Sequence, residues 1–297
     1  MIPSKILKRL RVTPGRRVKL RKYPTDHVAG FGRTSFGEEA LKNRALEILG
    51  KRRGELSSAQ ELLYANGTYA VLLIFQAMDA GGKDGTIRHV MSGVNPQGCQ
   101  VFSFKRPSEE ELKHNFLWRC SKSLPERGRI GIFNRSYYED VLVVKVHPDQ
   151  VDPRLPEKPG KKFWANRYED INNFEKHLHR NGTLILKFFL HLSKKEQKRR
   201  FLERLNDPAK NWKYSSADMA ERAYWKQYQK AFEEALTETS TKHAPWHVIP
   251  ADEKHVAHAL VAEIVVKAIQ NLGLRTPTLP KRERAALRAA RTQLAKV

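Results

Sequence analysis

YAVLLIFQAMDAGGKDGT, residues 69–86, joins seven mostly apolar residues to a glycine-rich loop that contains one lysine. A continuous apolar run of this length is typical of a buried β-strand. The segment that follows is amphipathic, with Ile87, Val90 and Met91 at helical spacing. Together the three parts predict a strand, a phosphate-binding loop and a helix.

The loop approximates the Walker A pattern G-x-x-x-x-G-K-[ST] and departs from it at two positions. Gly82 and Lys83 match, whereas Ala77 replaces the first glycine and Asp84 replaces the serine or threonine. Successive backbone amides, a helix N-terminus and an ammonium group still make an anion-binding site. Because the hydroxyl that usually holds magnesium is missing, Asp79 is the expected substitute. The alternative is a plain strand-to-helix turn in which the glycines serve packing and the lysine is solvated.

The composition is strongly basic. The 297 residues contain 55 Lys and Arg against 32 Asp and Glu, a formal net charge of +23. This excess predicts a polyanionic partner: nucleic acid, an anionic membrane surface or a phosphate polymer. The alternative is a solvated basic surface without a polymer partner.

The cysteines and the apolar runs bear on the compartment. Cys99 and Cys120 lie in apolar segments, and their spacing predicts neither a disulfide framework nor a metal site. No apolar run approaches the ~20 residues of a membrane span, and the first residues lack the apolar core of a signal peptide. We therefore expect a cytoplasmic protein with no membrane partner. No acidic residue accompanies His255 and His258 in a zincin arrangement, so no zinc site is expected.

The order of apolar segments and turns predicts an α/β fold in which helices separate five strands, and hence a mostly parallel sheet. Basic clusters interrupted by proline and glycine predict an irregular N-terminal arm over residues 1–34. A single domain is expected over 35–272, followed by a basic tail over 273–297 that is a loose helix at most. The predicted strands are 69–75, 99–104, 129–133, 183–190 and 246–249.

Helical spacing predicts a helix pair over 35–66, broken near Gly50 and Gly54, and later helices over 163–181, 216–238 and 252–272. Capping boxes of the form S-x-x-E predict three more helix starts, at Ser108, Ser136 and Ser193.

Reactive side chains follow three of the predicted strands, at the edge where parallel sheets hold their active sites. Asp79 and Lys83 follow the first strand, the run 134–140 follows the third, and a cationic helix follows His191 at the end of the fourth. Carboxylates, a lysine and arginines around one crevice are the set that phosphoryl transfer requires.

Two of these features have simpler explanations. Glu139 could complete the capping box that begins at Ser136, and the arginines of the cationic helix could form a solvated face. Arg200 and Arg204 are spaced i, i+4 and repel each other unless an anion lies between them. Their spacing therefore favours a phosphate.

Four separated segments resemble, in order and spacing, the polyphosphate kinase 2 family. The resemblance covers about Arg11 to Leu272 and implies a thymidylate-kinase-like P-loop fold with a helical lid at about 194–216. It also implies magnesium-dependent, reversible phosphoryl transfer from inorganic polyphosphate to ADP, AMP or both. The segments are Gln76 to Thr86, FSFKRPSEEELKHNFLWR (102–119), IFNRSYYEDVLVVKVH (132–147) and HLSKKEQKRRFLERLNDPAKNWKYS (191–215).

The resemblance implies roles for residues at matching positions. Asp79 is the expected magnesium ligand, with Asp140 as a second candidate and manganese as an alternative ion. The expected catalytic residues are Asp79, Lys83, Arg135 and Glu139. The expected phosphate or polyphosphate contacts are Gly81, Gly82, Gly85, Thr86, Arg199, Arg200, Arg204, Lys210 and Lys213, and the expected nucleotide contacts are Arg88, Lys105, Arg119 and Asn134.

Two positions refine this assignment. Asn134 stands where the commoner family pattern has aspartate, which moves the metal to Asp79. The Tyr-Tyr-Glu-Asp sequence at 137–140 resembles the branch called class III, which phosphorylates both AMP and ADP, rather than the branch with asparagine at the position of Glu139. The implied partners are polyphosphate and adenine nucleotides, with guanine nucleotides as an option, and a homo-oligomer is expected.

Two other functions fit part of the sequence. An ATP-dependent nucleoside or nucleotide kinase of the same fold would leave the charge excess without a role. A nucleic-acid-binding P-loop protein would explain the basic ends but not Asp79 or the carboxylates after the third strand. We therefore expect a polyphosphate-dependent nucleotide kinase, and nucleic acid is not the expected partner.

Overall fold

The structure, a computed structural model, describes residues 2–26 and 37–295. Five strands form one parallel sheet in the order β2-β3-β1-β4-β5. The predicted α/β class and its five strands are confirmed. The strands are Ala70–Ala77 (β1), Cys99–Ser103 (β2), Ile130–Asn134 (β3), Thr183–His191 (β4) and Trp246–Pro250 (β5).

Helices cover both faces of the sheet, which explains why β1 and β4 consist of almost continuous apolar residues. No helix of the described ranges is long and apolar enough to cross a membrane. The helices are Ser4–Leu10 (α1), Gly37–Asn66 (α2), Lys83–Val90 (α3), Trp118–Ser121 (α4), Glu139–Val146 (α5), Lys161–Arg180 (α6), Lys194–Asn206 (α7), Ser216–Glu221 (α8), Trp225–Thr239 (α9), Lys254–Gln270 (α10) and Lys281–Leu294 (α11).

The central strand β1 positions the site. Phe75 of β1 lies beside Asn134 of β3, and Ala77 of β1 lies beside Leu190 of β4. The three strands therefore end at nearly the same level. The glycine loop after β1, the run 134–140 after β3 and the end of β4 meet at this carboxyl edge of the sheet.

The predicted helix pair over 35–66 is wrong, because α2 continues from Gly37 to Asn66 without a break. Its two internal glycines cost about 1 kcal/mol each in helix propensity, but tertiary contacts outweigh that cost. Between the glycines, the buried Arg52 donates to both carboxylate oxygens of Glu263 on α10, at 2.6 and 2.9 Å. Leu49 and Leu56 are buried on either side of this ion pair.

The N-terminal residues are more regular than predicted. Residues 4–10 form α1, residues 20–22 form one 3-10 turn, and the backbone amide of Val12 donates to the carbonyl of Trp246 on β5 (2.9 Å). The reason is burial: Ile6, Leu10 and Val18 are among the apolar side chains that pack into the core. Residues 27–34 of the predicted arm lie outside the described residues.

Two further helix predictions are corrected. The capping box at Ser108 forms, with reciprocal bonds to Glu111 at 2.8 and 3.2 Å, but it starts only a 3-10 turn. The side chain of Asn115 then accepts from the amide of Leu117 (3.0 Å), a turn that separates the box from α4. The long helix predicted over 216–238 is divided into α8 and α9 by a 3-10 turn at Arg222–Tyr224.

Candidate active site

The glycine loop between β1 and α3 is too tightly folded for larger side chains. A Cβ atom on Gly81 would lie 2.5 Å from the Cβ of Ala77 and 2.7 Å from the carbonyl oxygen of Met78. Gly82, directly before α3, has a left-handed backbone with a φ of 91°, which favours glycine. The first-turn amides of α3 have no partners within the helix. This is the geometry of a backbone nest for an anion.

Lys83 is the first residue of α3, and its ammonium group lies inside the loop. Its Nζ donates to the carbonyl of Ala77 at 3.2 Å, which holds the side chain against the end of β1. Burial lowers the pKa of Lys83, and the nearby Arg135 cation lowers it further, while surrounding carboxylates oppose both effects. Gly85 and Thr86 continue the first turns of α3, and the Thr86 side chain is buried.

Arg135 connects the ends of β1 and β3. It has a positive φ of 64°, and its amide donates to the carbonyl of Phe75 at 3.0 Å. Its Nη2 lies 3.3 Å from Asp79 Oδ1, and its Nη1 lies 3.9 Å from Glu139 Oε2. Burial lowers the pKa of Arg135, but Glu139 and Asp79 raise it by more, so the guanidinium stays charged. A strained backbone position thus aims one cation at two carboxylates.

The contacts of Glu139 differ from those of a capping residue. Its Oε1 accepts from Nε2 of Gln76 at 2.9 Å, and its other oxygen faces Arg135. Ser136 instead accepts from the amide of Tyr138 at 3.2 Å. The capping explanation of Glu139 is therefore wrong, and its carboxylate belongs to the same group of charges as Asp79 and Lys83. We call these four residues, Asp79, Lys83, Arg135 and Glu139, the catalytic crevice.

Asn134 pairs with the residue that replaces the Walker A hydroxyl. Its Nδ2 donates to Asp84 Oδ1 at 2.6 Å and lies 3.4 Å from the hydroxyl of Ser103. The two departures from the usual motifs, Asp84 and Asn134, thus compensate each other with one hydrogen bond between α3 and β3.

Of the predicted nucleotide contacts, Arg119 and Lys105 lie together beside β2. Arg119 Nη1 donates to the carbonyl of Lys105 at 2.7 Å, and the guanidinium lies 5.5 Å from the ring centre of Phe104. The amide of Phe104 donates to the carbonyl of Asn134 at 3.1 Å, which ties this group to the end of β3. Arg88 is exposed on α3.

Arg200 is buried behind the loop, and protein atoms surround its guanidinium. Nη1 donates to the carbonyl of Ala80 in the loop (3.0 Å), and Nε donates to Glu196 (2.7 Å). Nη2 contacts the carbonyls of Ala251 and, at 3.2 Å, Asp252 after β5. These contacts fix α7 against the loop.

Two other arginines of α7 and Lys210 of the following turn face carboxylates, whereas Lys194, Lys195 and Lys198 of α7 form no ion pair among the described residues. Because Arg200 and Arg204 each contact a carboxylate, their spacing does not require an anion between them, and that argument from the sequence is wrong. The side chain of Lys213 lies outside what the structure describes. The pairs are Arg199 with Glu196 (2.7 Å), Arg204 with Asp218 (3.6 Å) and Lys210 with Asp207 (2.8 Å).

Comparison with known proteins identifies the family. The family model described as Polyphosphate kinase 2 (PPK2) matches residues 40–276 of this chain. The chain belongs to the polyphosphate kinase 2 family. Among its curated relatives, an ADP-polyphosphate phosphotransferase of Rhodopseudomonas palustris is 52% identical over 292 residues, which cover 97% of this chain and 98% of the relative.

Further similarities to members of this family extend over most of the chain. An AMP/ADP-polyphosphate phosphotransferase of Meiothermus ruber is 45% identical over 274 residues, covering 91% of this chain and 96% of the relative. The crystal structure of polyphosphate kinase 2 from Arthrobacter aurescens TC1 superposes with a TM-score of 0.83 at 39% identity, covering 94% and 95% of the two chains. The predicted family, P-loop kinase-like fold and enzyme class, a polyphosphate–nucleotide phosphotransferase, are confirmed.

Within the described residues, no group of three or more His, Cys, Asp or Glu side chains could hold a metal ion by itself. The Asp79 carboxylate, partly exposed in the crevice, fits a cation that is otherwise held by substrate phosphates and water. Asp140 lies apart from it and faces Arg167 at 3.9 Å; burial raises the pKa of Asp140 to about 6.

Sequence reasoning missed three residues near the crevice. Gln76 orients Glu139, and Gln197 of α7 donates to the carbonyl of Asp79 at 3.0 Å. Asp218 of α8 also lies close: burial raises its pKa, and the charge of Asp79 raises it further. One signal existed, because Ser215 and Asp218 have the spacing of a helix cap, and the Ser215 hydroxyl accepts from the Asp218 amide at 3.4 Å.

Proposed function

We propose that this chain transfers a phosphoryl group reversibly between inorganic polyphosphate and both AMP and ADP, with magnesium, in the catalytic crevice. One observation carries the proposal. The glycine loop, Lys83, Arg135 and two carboxylates converge at the carboxyl ends of β1 and β3. Phosphoryl transfer depends on positioning and on stabilising charge, and this cluster supplies donors and cations for both.

The side chains divide the work by position. The loop amides and Lys83 bind oxygens of the transferred phosphate, because the ammonium can exchange its bond to the Ala77 carbonyl for a stronger, charge-assisted one. Arg135 stays charged across the physiological range and stabilises the negative charge that develops during transfer. Gln76 and Glu139 hold Arg135 in place from the other side.

Magnesium suits this site because it commonly uses one or two protein carboxylates and completes its shell with substrate oxygens and water. Asp79 is the carboxylate we assign to it, and Asp218 is a further acidic group whose pKa the charge of Asp79 raises. The ion would neutralise charge on the bound phosphates. Asp140 is a weaker candidate, because its carboxylate faces Arg167.

The acceptor nucleotide is assigned to the side of β3 and β2. Arg119, Lys105 and Asn134 lie there, and Arg88 is exposed on α3 nearby. Glu139 supports the use of AMP as well as ADP, in line with the class III resemblance. Guanine nucleotides, a homo-oligomer and a cytoplasmic location stay predictions.

The cations of the predicted lid, 194–216, have a different role in this proposal. Arg199, Arg204 and Lys210 are paired with carboxylates, so a phosphate chain must displace these partners to bind. Their contribution to affinity is therefore the small difference between two ionic contacts.

A direct assay tests the proposal. Purified protein is mixed with magnesium, long-chain polyphosphate and either ADP or AMP, and the nucleotides formed are separated and quantified. We expect ATP from ADP and ADP from AMP, with loss of activity on chelation of the metal. Absence of both products, together with phosphorylation of a nucleoside by ATP, would instead establish the ATP-dependent kinase.

A further inference from the structure

A basic cleft lies at the β5 edge of the sheet, outside the catalytic crevice. It has a volume of about 680 Å³. Fifteen residues line it; eight of them are Lys or Arg and none is Asp or Glu. Six of the cations are Lys5, Lys8, Arg9, Arg16, Arg17 and Lys19. The cleft is therefore a concentrated positive site made by the N-terminal residues.

The apolar residues between these cations are buried, which leaves the cations exposed to solvent. Along residues 17–20, which lead into the 3-10 turn, Val18 and Leu20 are buried while Arg17 and Lys19 are exposed. This alternation is what an extended segment shows when one side packs on the core. α1 follows the same rule, because its buried face lies against the core and its lysines and arginine face outward.

The cations of the cleft lack the carboxylate partners that Arg199, Arg204 and Lys210 have. Among the described residues, no ion pair involves any of the six named lysines and arginines. Like charges this close repel one another and raise the local positive potential. A bound polyanion would remove that repulsion and release its own counterions.

The cleft also leads toward the catalytic crevice. The amide of Val18 donates to Thr237 Oγ1 near the end of α9 (2.9 Å). The amide of Leu20 donates to the Glu233 carboxylate, one helical turn before Thr237 on α9 (2.7 Å). Farther along, the carbonyl of Thr25 accepts from the amide of Asp252, just beyond the carboxyl end of β5 (2.8 Å). The segment therefore runs up the edge of the sheet to its carboxyl side.

Two hydrogen bonds of Arg200 connect Asp252, which bonds to Thr25, to the phosphate loop. Arg200 donates to the carbonyl of Asp252 and, through its other nitrogen, to the carbonyl of Ala80. Thr25, the residue after Pro24 of the cleft, is thus connected to the glycine loop through Asp252 and Arg200. A polymer too long for the crevice would therefore reach the cleft along the β5 edge of the sheet.

We propose that the basic cleft is a second binding site for linear polyphosphate, which holds the part of the chain that extends beyond the catalytic crevice. The inference rests on the proposed function. A nucleotide is too small to use eight cations, whereas a polymer with roughly one negative charge per phosphate matches a row of them. Short chains, which end within the crevice, do not reach this site.

The test removes three charges from the cleft and three from a matched surface. The first variant is Arg16→Gln, Arg17→Gln and Lys19→Gln; the control is Arg284→Gln, Arg288→Gln and Arg291→Gln on the exposed helix α11. For the cleft variant we expect KM for long-chain polyphosphate to rise roughly tenfold, with kcat and the KM for short-chain polyphosphate unchanged. The slope of log KM against log salt should fall by about 2, since three phosphate contacts are lost. The control should behave as wild type.

The outcomes separate the two proposals. Equal KM values for long chains in the cleft variant and wild type would overturn the second site, as would an equal rise in the control. Loss of binding to single-stranded DNA without a change in polyphosphate KM would assign the cleft to nucleic acid and also overturn it. No turnover of any polyphosphate by the wild type would refute the proposed function instead. The unchanged rate on short chains shows that the variant is folded.

Discussion

The catalytic crevice and the basic cleft use charge in opposite ways. In the crevice, Arg135 lies between Asp79 and Glu139, and Lys83 is bonded to a backbone carbonyl, so each cation has a fixed place. In the cleft, eight cations share a surface without one carboxylate among the lining residues. The crevice fixes the positions of its charged groups, which a reaction requires. The cleft produces a positive electrostatic potential, which attracts a polyanion.

The comparison shows why counting charges in a sequence misleads. The lysine- and arginine-rich run of α7 looks more basic than the N-terminus, yet its three arginines are paired with carboxylates three or four residues away or on α8. Availability of a cation depends on its partners, and only the fold reveals them.

The largest effects should come from the crevice. Asp79→Asn and Lys83→Ala should each lower kcat by about 10³, because each removes a charge placed at the reacting phosphate. Initial rates at saturating polyphosphate and ADP measure the loss, and thermal unfolding checks the fold. Asp149→Asn, the same change at an exposed site, should have wild-type activity. Near-normal turnover in either crevice variant would remove that residue from the mechanism.

A substitution of Glu139 should have a smaller effect, and the loss of activity should differ between the acceptors AMP and ADP. Glu139→Asn shortens the side chain and removes the carboxylate that faces Arg135 and Gln76. We expect AMP phosphorylation to fall by about 10²-fold and ADP phosphorylation by about tenfold or less, since a misplaced donor loses transition-state stabilisation. Parallel assays with each nucleotide give the ratio. Equal losses would contradict the class III assignment.

β5 lies beside the basic cleft, and the contribution of its His247 to the free energy of unfolding should depend on pH. His247 of β5 lies beside Arg11, and burial, together with the charges of Arg11 and Lys187, lowers its pKa to about 4. The unfolded chain binds this proton near pH 6.5, so the stability from neutral His247 is present above that pH and is lost as pH falls toward 4. The loss reaches about 3 kcal/mol at pH 4.

Urea unfolding of His247→Gln from pH 7 to 4 measures this contribution. The difference in unfolding free energy between wild type and variant should shrink steadily as pH falls. The exposed His177 offers a control, and His177→Gln should keep a constant difference. A pH-independent difference for His247→Gln would show that the histidine does not stabilise the edge in its neutral form.

The smallest effect should come from the paired cations. Lys210→Gln should raise the polyphosphate KM about threefold at most, because phosphate must displace Glu203 and Asp207 from this lysine. The polyphosphate KM of Lys210→Gln is measured over the same range of salt concentrations as that of the cleft variant. A rise as large as that of the cleft variant would erase the distinction between paired and free cations.

The sequence predicts most of the sheet and the centre of the site. Apolar runs of β1, β3 and β4 are buried on both faces, and their signal is strong because no solvent-facing side interrupts it. Asp79 and Lys83 are predictable because they follow such a run directly. Arg135 and Glu139 require the additional knowledge that β3 lies beside β1.

The rest depends on contacts between distant residues. Nothing local keeps α2 helical through Gly50 and Gly54; the ion pair of Arg52 with Glu263 on α10 does so from 211 residues away. Asp218 lies far from Asp79 in the sequence, and only the fold brings the two charges close enough to interact. In the same way, the N-terminal residues look irregular until β5 and α9 provide an edge to pack on.

Arg200 makes one rigid body of parts that the sequence presents as separate. Its guanidinium ties the middle of α7 to the phosphate loop at Ala80 and to the β5–α10 junction at Ala251 and Asp252. A movement of α7 as a whole would break all of these bonds at once. If the predicted lid closes over substrate, we therefore expect α7 to stay in place and the movement to occur in residues that follow Asn206.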